Sequence, residues 1–339
     1  MKSQELLITA VTPSIAIPGG EISIQCRGFR PGLPSSAKVR FGETEAVIVS
    51  ASEDRVVTRV PEHTKALGVA LSVNELMSPV FPFTIGTVLA TGLHPVANPV
   101  IAPDGTIITT ISGTRGQQSP QPLIRVSRGG EVTPFPCEIM NPTGLAFGRD
   151  GQLYISNRGE GTVLRYTDYE RLDIIAEDLG IPCDILFDRE DRLYVGDRTG
   201  KIHRINPGGT PEVFALLPPS ISAFHLALDG EETLYVTGPT LAMRDPVYCI
   251  SRTGEVTLLL EGLARPQGLA FSADGDLWIA AAYGGKKGIF RYSLVSKELV
   301  YHIAGPMLVG LAMDAQDIFL VDGGSVYWIR TGGLSGRLS

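Results

Sequence analysis

One pattern recurs six times in this 339-residue sequence. Each copy has an apolar strand, a turn with acidic residues or glycine, and a second strand in which Leu or Ile precedes an aromatic residue or Ile. The six turns end at residues 105, 151, 191, 232, 275 and 316, which are 40 to 46 residues apart. A period of about 40 residues with four short strands per copy is typical of β-propellers. The sequence therefore predicts an all-β fold in which residues 87–339 form a six-bladed β-propeller.

The sixth copy lacks a fourth strand, because only LSGRLS remains after VYWIRTGG. The segment TVLATGL at 87–93 instead matches LLLEGL at 258–263, which precedes the fifth copy. We expect residues 87–93 to pair with the last blade, which would close the ring and remove an exposed sheet edge. This closure places the preceding domain beside the sixth blade.

Residues 1–86 carry a separate set of short β-branched strands. Pro18, Gly19 and Gly20 form a turn, after which Ile22 and Ile24 alternate with polar residues. Such regularly spaced strands predict a β-sandwich. The segment resembles the IPT/TIG family of immunoglobulin-like domains, which implies a binding or spacer module without catalytic residues. The matching residues are Pro13, the Pro-Gly-Gly turn, Gly28, Phe29, the VRFG segment at 39–42, the EAVIVS strand, Val60 and Pro61.

The repeats themselves resemble two known propeller groups. The turn after the second strand carries Asn157-Arg158, Asp197-Arg198 and Asp322-Gly323, as in NHL repeats, where an Asp or Asn caps this turn. The first-strand motif Pro-x-Gly-Leu-Ala-Phe resembles the superfamily of gluconolactonase, senescence marker protein and luciferin-regenerating enzyme. That resemblance implies a divalent metal at one end of the central channel, held by Glu, Asn and Asp, which activates water or polarises a lactone carbonyl.

The residues at those metal-ligand positions do not match the superfamily. The positions fall on Ala97, Thr143, Cys183, Phe224, Gln267 and Val309. A slip of one residue along the inner strands brings in Asp184 and Asn98, which still supplies a single carboxylate. The sequence therefore predicts no metal and no cofactor, and leaves Ca²⁺ or another divalent cation open only through this slip.

A cysteine, an aspartate and a histidine form a second candidate set. Asp184 and His225 replace a glycine that the other copies carry at Gly144, Gly268 and Gly310, and Cys183 adjoins Asp184. Such a set can supply a nucleophile, a base and an orienting group. Its order and spacing match no known signature. The competing interpretation, which we favour, is a buried His paired with an Asp that fills space.

Long loops between second and third strands point to ligand-binding residues at the channel mouth. They occupy residues 112–122, 238–246 and 281–288. Extra loop length on a rigid scaffold is a common place for binding residues, although solvated loops are the alternative. With the inner-strand positions, the candidate ligand-binding residues are Asn98, Thr143, Gln267, Arg115, Arg244 and Tyr283, and the loops add Gln117, Gln118, Asp245 and Lys286.

Composition excludes several partners. The chain has 29 Lys and Arg against 36 Asp and Glu, a net charge of −7, and no basic run, so nucleic acid is not an expected partner. No apolar run is long enough to span a bilayer, and the start MKSQELLITAV lacks a signal-peptide pattern. The four cysteines form no CxxC pair and favour reduced thiols, so we expect a cytoplasmic protein.

Two functions remain in view. The unmatched metal positions favour a propeller that binds a small molecule or a protein partner at the channel mouth, or that acts as a scaffold. The alternative is a gluconolactonase-like hydrolase of lactones or related small esters, which the superfamily resemblance implies.

Overall fold

The structure is a computed structural model that describes residues 5–30, 37–64, 66–111, 119–167 and 171–330. Within these ranges the secondary structure consists of β-strands, and the chain forms no helix there. Accordingly, the described part of the chain contains no helix long and apolar enough to cross a membrane. The prediction of an all-β fold is confirmed.

The N-terminal strands form two sheets around one core. Strands β1, β3, β7 and β6 make one antiparallel sheet, and β10, β8, β4, β5 and β9 make the other. In β3, Ile22, Ile24 and Cys26 are buried while their neighbours face outward, so the predicted alternation is confirmed. The strands are β1 (Leu7–Thr12), β2 (Ile15–Ala16), β3 (Glu21–Arg27), β4 (Ala37–Phe41), β5 (Thr44–Ala46), β6 (Ile48–Ala51), β7 (Arg55–Arg59), β8 (Gly68–Val73), β9 (Leu76–Met77), β10 (Phe81–Pro82) and β11 (Thr84–Ile85).

The repeats form antiparallel sheets that we number one to six along the described chain. Sheet one holds β13 (Val100–Ile101), β14 (Ile107–Thr110), β15 (Leu123–Val126) and β16 (Val132–Pro134); sheet two holds β17 (Pro142–Phe147), β18 (Leu153–Asn157), β19 (Thr162–Tyr166) and β20 (Leu172–Ala176); sheet three holds β21 (Pro182–Phe187), β22 (Leu193–Asp197), β23 (Lys201–Ile205) and β24 (Glu212–Leu216). Sheet four holds β25 (His225–Leu228), β26 (Leu234–Thr237), β27 (Asp245–Ile250) and β28 (Val256–Leu263); sheet five holds β29 (Leu269–Phe271), β30 (Leu277–Tyr283), β31 (Lys286–Tyr292) and β32 (Leu299–Ala304); sheet six holds β33 (Leu308–Met313), β34 (Asp317–Asp322), β35 (Ser325–Arg330) and β12 (Thr87–Thr91).

Hydrophobic clusters join each sheet to the next. Tyr154 of sheet two packs edge-on against Phe187 of sheet three, with ring centroids 4.7 Å apart. Tyr235 of sheet four packs in the same way on Phe271 of sheet five at 5.0 Å. The innermost strands touch in chain order, and β33 of sheet six also touches β13 of sheet one. Each sheet therefore contacts the next one along the chain, and the sixth also contacts the first.

The N-terminal strand β12 completes sheet six. It pairs antiparallel with β35, with Thr87 opposite Trp328 and Thr91 opposite Ser325. Leu89 is buried in a cluster that also contains Ile107 of sheet one. The strand thus covers the outer edge of the sheet and joins the first sheet to the last.

The N-terminal domain joins the repeats mainly through sheet five. The sequence placed it beside the sixth repeat, but β2 pairs with β32 and β11 pairs with β2, which extends sheet five to six strands. The outer edge of sheet six is already paired with β12, whereas the edge of β32 is available. Ile15 and Ile17 of the N-terminal domain also enter the apolar cluster between sheets five and six.

Candidate functional site

The inner strands meet at a constriction that we call the neck. At Gly144, an added Cβ would lie 2.6 Å from the Cα of Asp184, and at Gly310 it would lie 2.6 Å from the carbonyl oxygen of Ala97. A side chain does not fit at such distances, so glycine allows the strands to approach each other. The neck residues are Asn98, Gly144, Asp184, His225, Gly268 and Gly310.

A hydrogen-bonded pair, Asn98 and Asp184, bridges the neck. The Nδ2 of Asn98 donates to Oδ2 of Asp184 at 2.8 Å, and the backbone N–H of Leu226 donates to the same oxygen at 3.0 Å. The backbone N–H of Leu311 donates to Oδ1 of Asn98 at 3.2 Å. Both side chains are at least nine-tenths buried. The pair therefore ties the segment before sheet one to sheets three, four and six.

This arrangement does not fit the divalent cation that the gluconolactonase resemblance implies. Asp184 is the one carboxylate of the neck, and burial raises its pKa to about 7, which opposes the charged form that a cation requires. Its Oδ2 and the Oδ1 of Asn98 already accept hydrogen bonds. In the ranges that the structure describes, no three His, Cys, Asp or Glu side chains converge to hold a metal.

The expected pairing of His225 with Asp184 is wrong. Asp184 pairs with Asn98 instead, and both ring nitrogens of His225 lack a hydrogen-bond partner among the described residues. Burial lowers the pKa of His225 to about 4, so the ring is neutral at pH 7. The shape of the neutral ring, rather than its charge, is what His225 contributes to the neck.

Cys183 lacks the features of an activated nucleophile. Its Sγ donates to the carbonyl oxygen of Ile181 at 3.4 Å, and burial raises the pKa of the thiol to about 11. A thiol of this kind is largely protonated at neutral pH, whereas the thiolate is the reactive form. No hydrogen bond between described residues links Cys183, Asp184 and His225 into a relay.

A cavity of ≈ 300 Å³, the mouth cavity, begins one residue back from the neck along the inner strands. Thr143, Cys183, Gln267 and Val309 line it, and each precedes a neck residue in the chain. Thr143 is 2% exposed, and its hydroxyl has no partner within the described residues. The other lining residues are Pro95, Val96, Arg158, Ile181, Arg198, Ile221, Ser222 and Ala223.

Two arginines hold equivalent places in the mouth cavity. Arg158 follows β18 and Arg198 follows β22, each directly after a residue whose side chain caps the turn. The Oδ1 of Asn157 accepts from the N–H of Gly159 at 3.0 Å, and the Oδ1 of Asp197 accepts from the N–H of Thr199 at 3.0 Å. The same capped turn therefore presents an arginine from two neighbouring sheets.

The bonding of the two guanidinium groups differs. Arg198 donates from Nε to the carbonyl of Ser220 at 3.2 Å and from Nη2 to that of Ile221 at 2.6 Å. Arg158 is half-buried and has no hydrogen bond or ion pair with the described residues. Sequence reasoning recognised the caps but missed these arginines. Their recurrence at one step of two consecutive copies was the available signal.

Some of the predicted ligand-binding residues lie at the mouth cavity or the neck, and others do not. Thr143 and Gln267 line the mouth cavity, and Asn98 lies in the neck. Arg244 and Tyr283 are exposed and do not line the cavity. Arg115, Gln117 and Gln118 lie outside the described residues. The described loop candidates Asp245 and Lys286 are elsewhere, since Asp245 accepts from the N–H of Thr240 at 2.9 Å and Lys286 lies over the ring of Tyr301.

Comparison with known proteins identifies the first domain. Residues 6–85 match the family described as IPT/TIG domain. The N-terminal domain is an IPT/TIG domain. No curated protein matches this sequence.

Solved structures resemble most of the chain. A gluconolactonase from Xanthomonas campestris is 16% identical with a TM-score of 0.55, covering 72% of this chain and 88% of that one. An auxiliary nutrient binding protein from Bacteroides thetaiotaomicron is 11% identical with a TM-score of 0.55, covering 97% and 98%. Virginiamycin B lyase from Staphylococcus aureus is 16% identical with a TM-score of 0.50, covering 70% and 80%. These likenesses show a propeller-type fold, on which many functions occur.

Proposed function

We propose that the six sheets are the blades of one closed, six-bladed β-propeller of the gluconolactonase and NHL type, and that it binds a small molecule in the mouth cavity. The observation that carries this proposal is the Asn98–Asp184 pair beneath a polar cavity. The Asn98–Asp184 pair fills the place where the superfamily resemblance implies a metal. A cavity closed by satisfied hydrogen bonds is a preformed receptacle without an evident catalytic group.

The dimensions of the cavity support a small ligand. Its volume of ≈ 300 Å³ lies at the lower end of the range for ligand pockets, about 300–1,000 Å³. Thr143, Gln267 and Arg158 supply polar groups, and Val309 and Ile181 supply apolar walls. Such a mixture suits a compact hydroxylated molecule better than an extended peptide.

A lactone hydrolase is the second candidate, which the structural likeness to the gluconolactonase favours. Hydrolysis needs a group that activates water or stabilises the oxyanion. The residues available beside the cavity are Thr143, Arg158 and Arg198, with neutral His225 and the Asp184 carboxyl in the neck. This candidate predicts turnover of glucono-δ-lactone that Asp184→Asn or Arg158→Gln abolishes.

The test of the proposed function uses a residue that obstructs the cavity. Ser222 is exposed and lines it, so that Ser222→Trp fills the opening with little demand on the core. Ser296→Trp is the matched control at an exposed serine of the β31–β32 turn. The N–H of Ser296 donates to Oγ of Ser293 at 3.3 Å, as the N–H of Ser222 donates to Oγ of Ser220 at 3.2 Å. We expect calorimetric titration to detect at least one of D-gluconate, D-glucose 6-phosphate and D-glucose with the unchanged protein and Ser296→Trp, and none with Ser222→Trp.

Either of two results would contradict the binding module. One is that Ser222→Trp binds the same probes with unchanged affinity, and the other is that none of the three probes binds to the unchanged protein. Steady hydrolysis of glucono-δ-lactone by the unchanged protein, lost in Asp184→Asn, would establish the second candidate instead.

A further inference from the structure

We infer that the ligand of the mouth cavity carries an oxyanion, a carboxylate or a phosphate, held by Arg158 and Arg198. This inference rests on the proposed function and adds the chemical class of the ligand. Both arginines line one cavity from neighbouring sheets, and no Asp or Glu is among the lining residues. Guanidinium groups bind carboxylate and phosphate in a bidentate manner, so two of them can share one anion.

The charge of Arg158 has no counterpart in the described part of the chain. The arginines that recur at one position of four third strands, by contrast, each pair with a carboxylate, as Arg125 does with Asp104 at 2.7 Å and Arg204 with Glu212 at 2.7 Å. Two like charges that line one cavity repel each other, and a bound anion removes that cost. The cavity is therefore electrostatically incomplete without an anion.

Three carboxylates in the capped turns and the neck have hydrogen-bond partners of their own. Asp197 precedes Arg198 and accepts from the N–H groups of Ile181 and Thr199, at 3.0 Å each. Asp184 accepts from Asn98 and Leu226 in the neck. Glu160 accepts from Nδ2 of Asn157 at 2.9 Å. These bonds satisfy the three carboxylates without either arginine.

The arginine bonds also orient the site. Arg198 donates from Nε and Nη2 to the carbonyls of Ser220 and Ile221, and these bonds keep the side chain in place. Its Nη1 has no acceptor among the described residues. Arg158 has its full set of donors available. The unpartnered hydroxyl of the buried Thr143 adds a neutral group on the same cavity. Together these groups fit a small hydroxylated acid or a sugar phosphate.

The experiment compares three probes of similar size by calorimetric titration. D-Gluconate carries a carboxylate, D-glucose 6-phosphate carries a phosphate, and D-glucose is neutral. We expect at least one anion to bind at least roughly tenfold more tightly than glucose, because hydrogen bonds between charged groups are stronger than those between neutral groups. Its affinity should fall as NaCl rises from about 0.05 to about 0.5 M, since salt screens the attraction. The better anion identifies the source of the oxyanion.

Variants locate the effect in the cavity. Arg158→Gln removes a charge that has no partner in the described chain, and should weaken the anion roughly 10- to 100-fold while glucose is unaffected. Arg198→Lys keeps the charge but loses the bonds to Ser220 and Ile221 that hold the side chain in place, and should also weaken the anion. Arg149→Gln and Arg189→Gln are controls, because both are exposed and lie at the opposite ends of sheets two and three. They should bind as the unchanged protein does.

The outcomes distinguish this inference from the proposed function. If glucose binds as tightly as both anions, with the Ser222→Trp effect intact and Arg158→Gln without effect, the oxyanion inference is overturned and the binding module stands. If an anion binds but Ser222→Trp and Arg158→Gln leave its affinity unchanged, it binds elsewhere, and both are overturned. An absence of binding by all three probes also overturns both.

Discussion

The neck shows how single residues change the use of a common scaffold. Three repeats place glycine at this position, and the other three place Asn98, Asp184 and His225 there. Asn98 and Asp184 satisfy each other across the axis, so the space is filled by a hydrogen bond between two different repeats. Burial beside neutral partners moves the pKa of the Asp184 carboxyl far from its usual range. The pH dependence of stability can therefore report on the neck.

Asp184 should make the protein less stable as the pH rises. Burial raises its pKa to about 7, whereas an unfolded Asp titrates near ~3.9. Between about pH 4 and 7 the folded state therefore keeps a proton that the unfolded state loses, and the free energy of unfolding falls with rising pH. The neutral Asp184→Asn lacks this loss. Denaturant titrations give the free energy of unfolding of both proteins. The value for Asp184→Asn minus that for the unchanged protein should rise between about pH 4.5 and about pH 7, and then level off.

The comparison with the unchanged protein and one control variant isolate the effect of Asp184. His225 and His302, whose pKa values burial lowers to about 4, contribute the opposite slope, and they cancel in the difference between variant and unchanged protein. Asp178→Asn is the matched control, because it makes the same change at an exposed residue whose positive φ Asn tolerates. A stability difference for Asp184→Asn that does not change with pH would mean that Asp184 is ionised in the folded protein.

At the scale of strands and sheets, the sequence predicted the elements that recur in each repeat and missed the strand that occurs once. The aromatic residue that recurs in the second strand packs between sheets at Tyr154 and Tyr235, so the repeat pattern marks an inter-sheet contact. The two-residue strand β2 was not predicted, because Ile15 and Ala16 lie next to a turn and carry no alternating pattern. Its partner β32 is almost three hundred residues away, and such a pairing leaves no local signal.

The sequence likewise predicted the inner-strand residues of the candidate site and missed the residues that follow the turns. Inner-strand alignment found Thr143 and Gln267, because each repeat fixes which residue faces the axis. The long loops suggested Arg244 and Tyr283, which the structure leaves outside the cavity, since loop length says nothing about direction. The arginines after the capped turns were missed because the cap itself accounted for the pattern.

Strand β12 should contribute substantially to stability. Leu89 is 8% exposed and packs between sheets six and one, so Leu89→Ala should lower the free energy of unfolding by about 2–5 kcal/mol. Leu216→Ala makes the same change at a residue that is 67% exposed on the outer strand of sheet three, and should cost less than about 0.5 kcal/mol. Denaturant titration measures both. Equal losses would show that β12 does not complete sheet six.

At the scale of the whole molecule, the two domains share structure. Strand β2 continues sheet five, and the backbone N–H of Ile17 donates to the carbonyl of Ala304 at 2.9 Å. Ile15 and Ile17 are buried with Trp278 in the cluster between sheets five and six. Removing the IPT/TIG domain would therefore uncover the edge of β32 and open an apolar cluster of the repeats. A shared core favours unfolding of both domains in one transition.

The two tryptophans make this coupling measurable, because Trp278 and Trp328 both lie in the repeats. Ile24 is fully buried in the core of the IPT/TIG domain, far along the chain from both of them. If the domains unfold together, Ile24→Ala should destabilise the tryptophan-monitored transition by about 2–5 kcal/mol, although it changes nothing that touches a tryptophan. Val47→Ala, at an exposed residue of the same domain, should leave the transition in place. A tryptophan transition that stays fixed in Ile24→Ala, while circular dichroism shows an earlier loss of strand signal, would mean that the IPT/TIG domain unfolds on its own despite the strands it shares with sheet five.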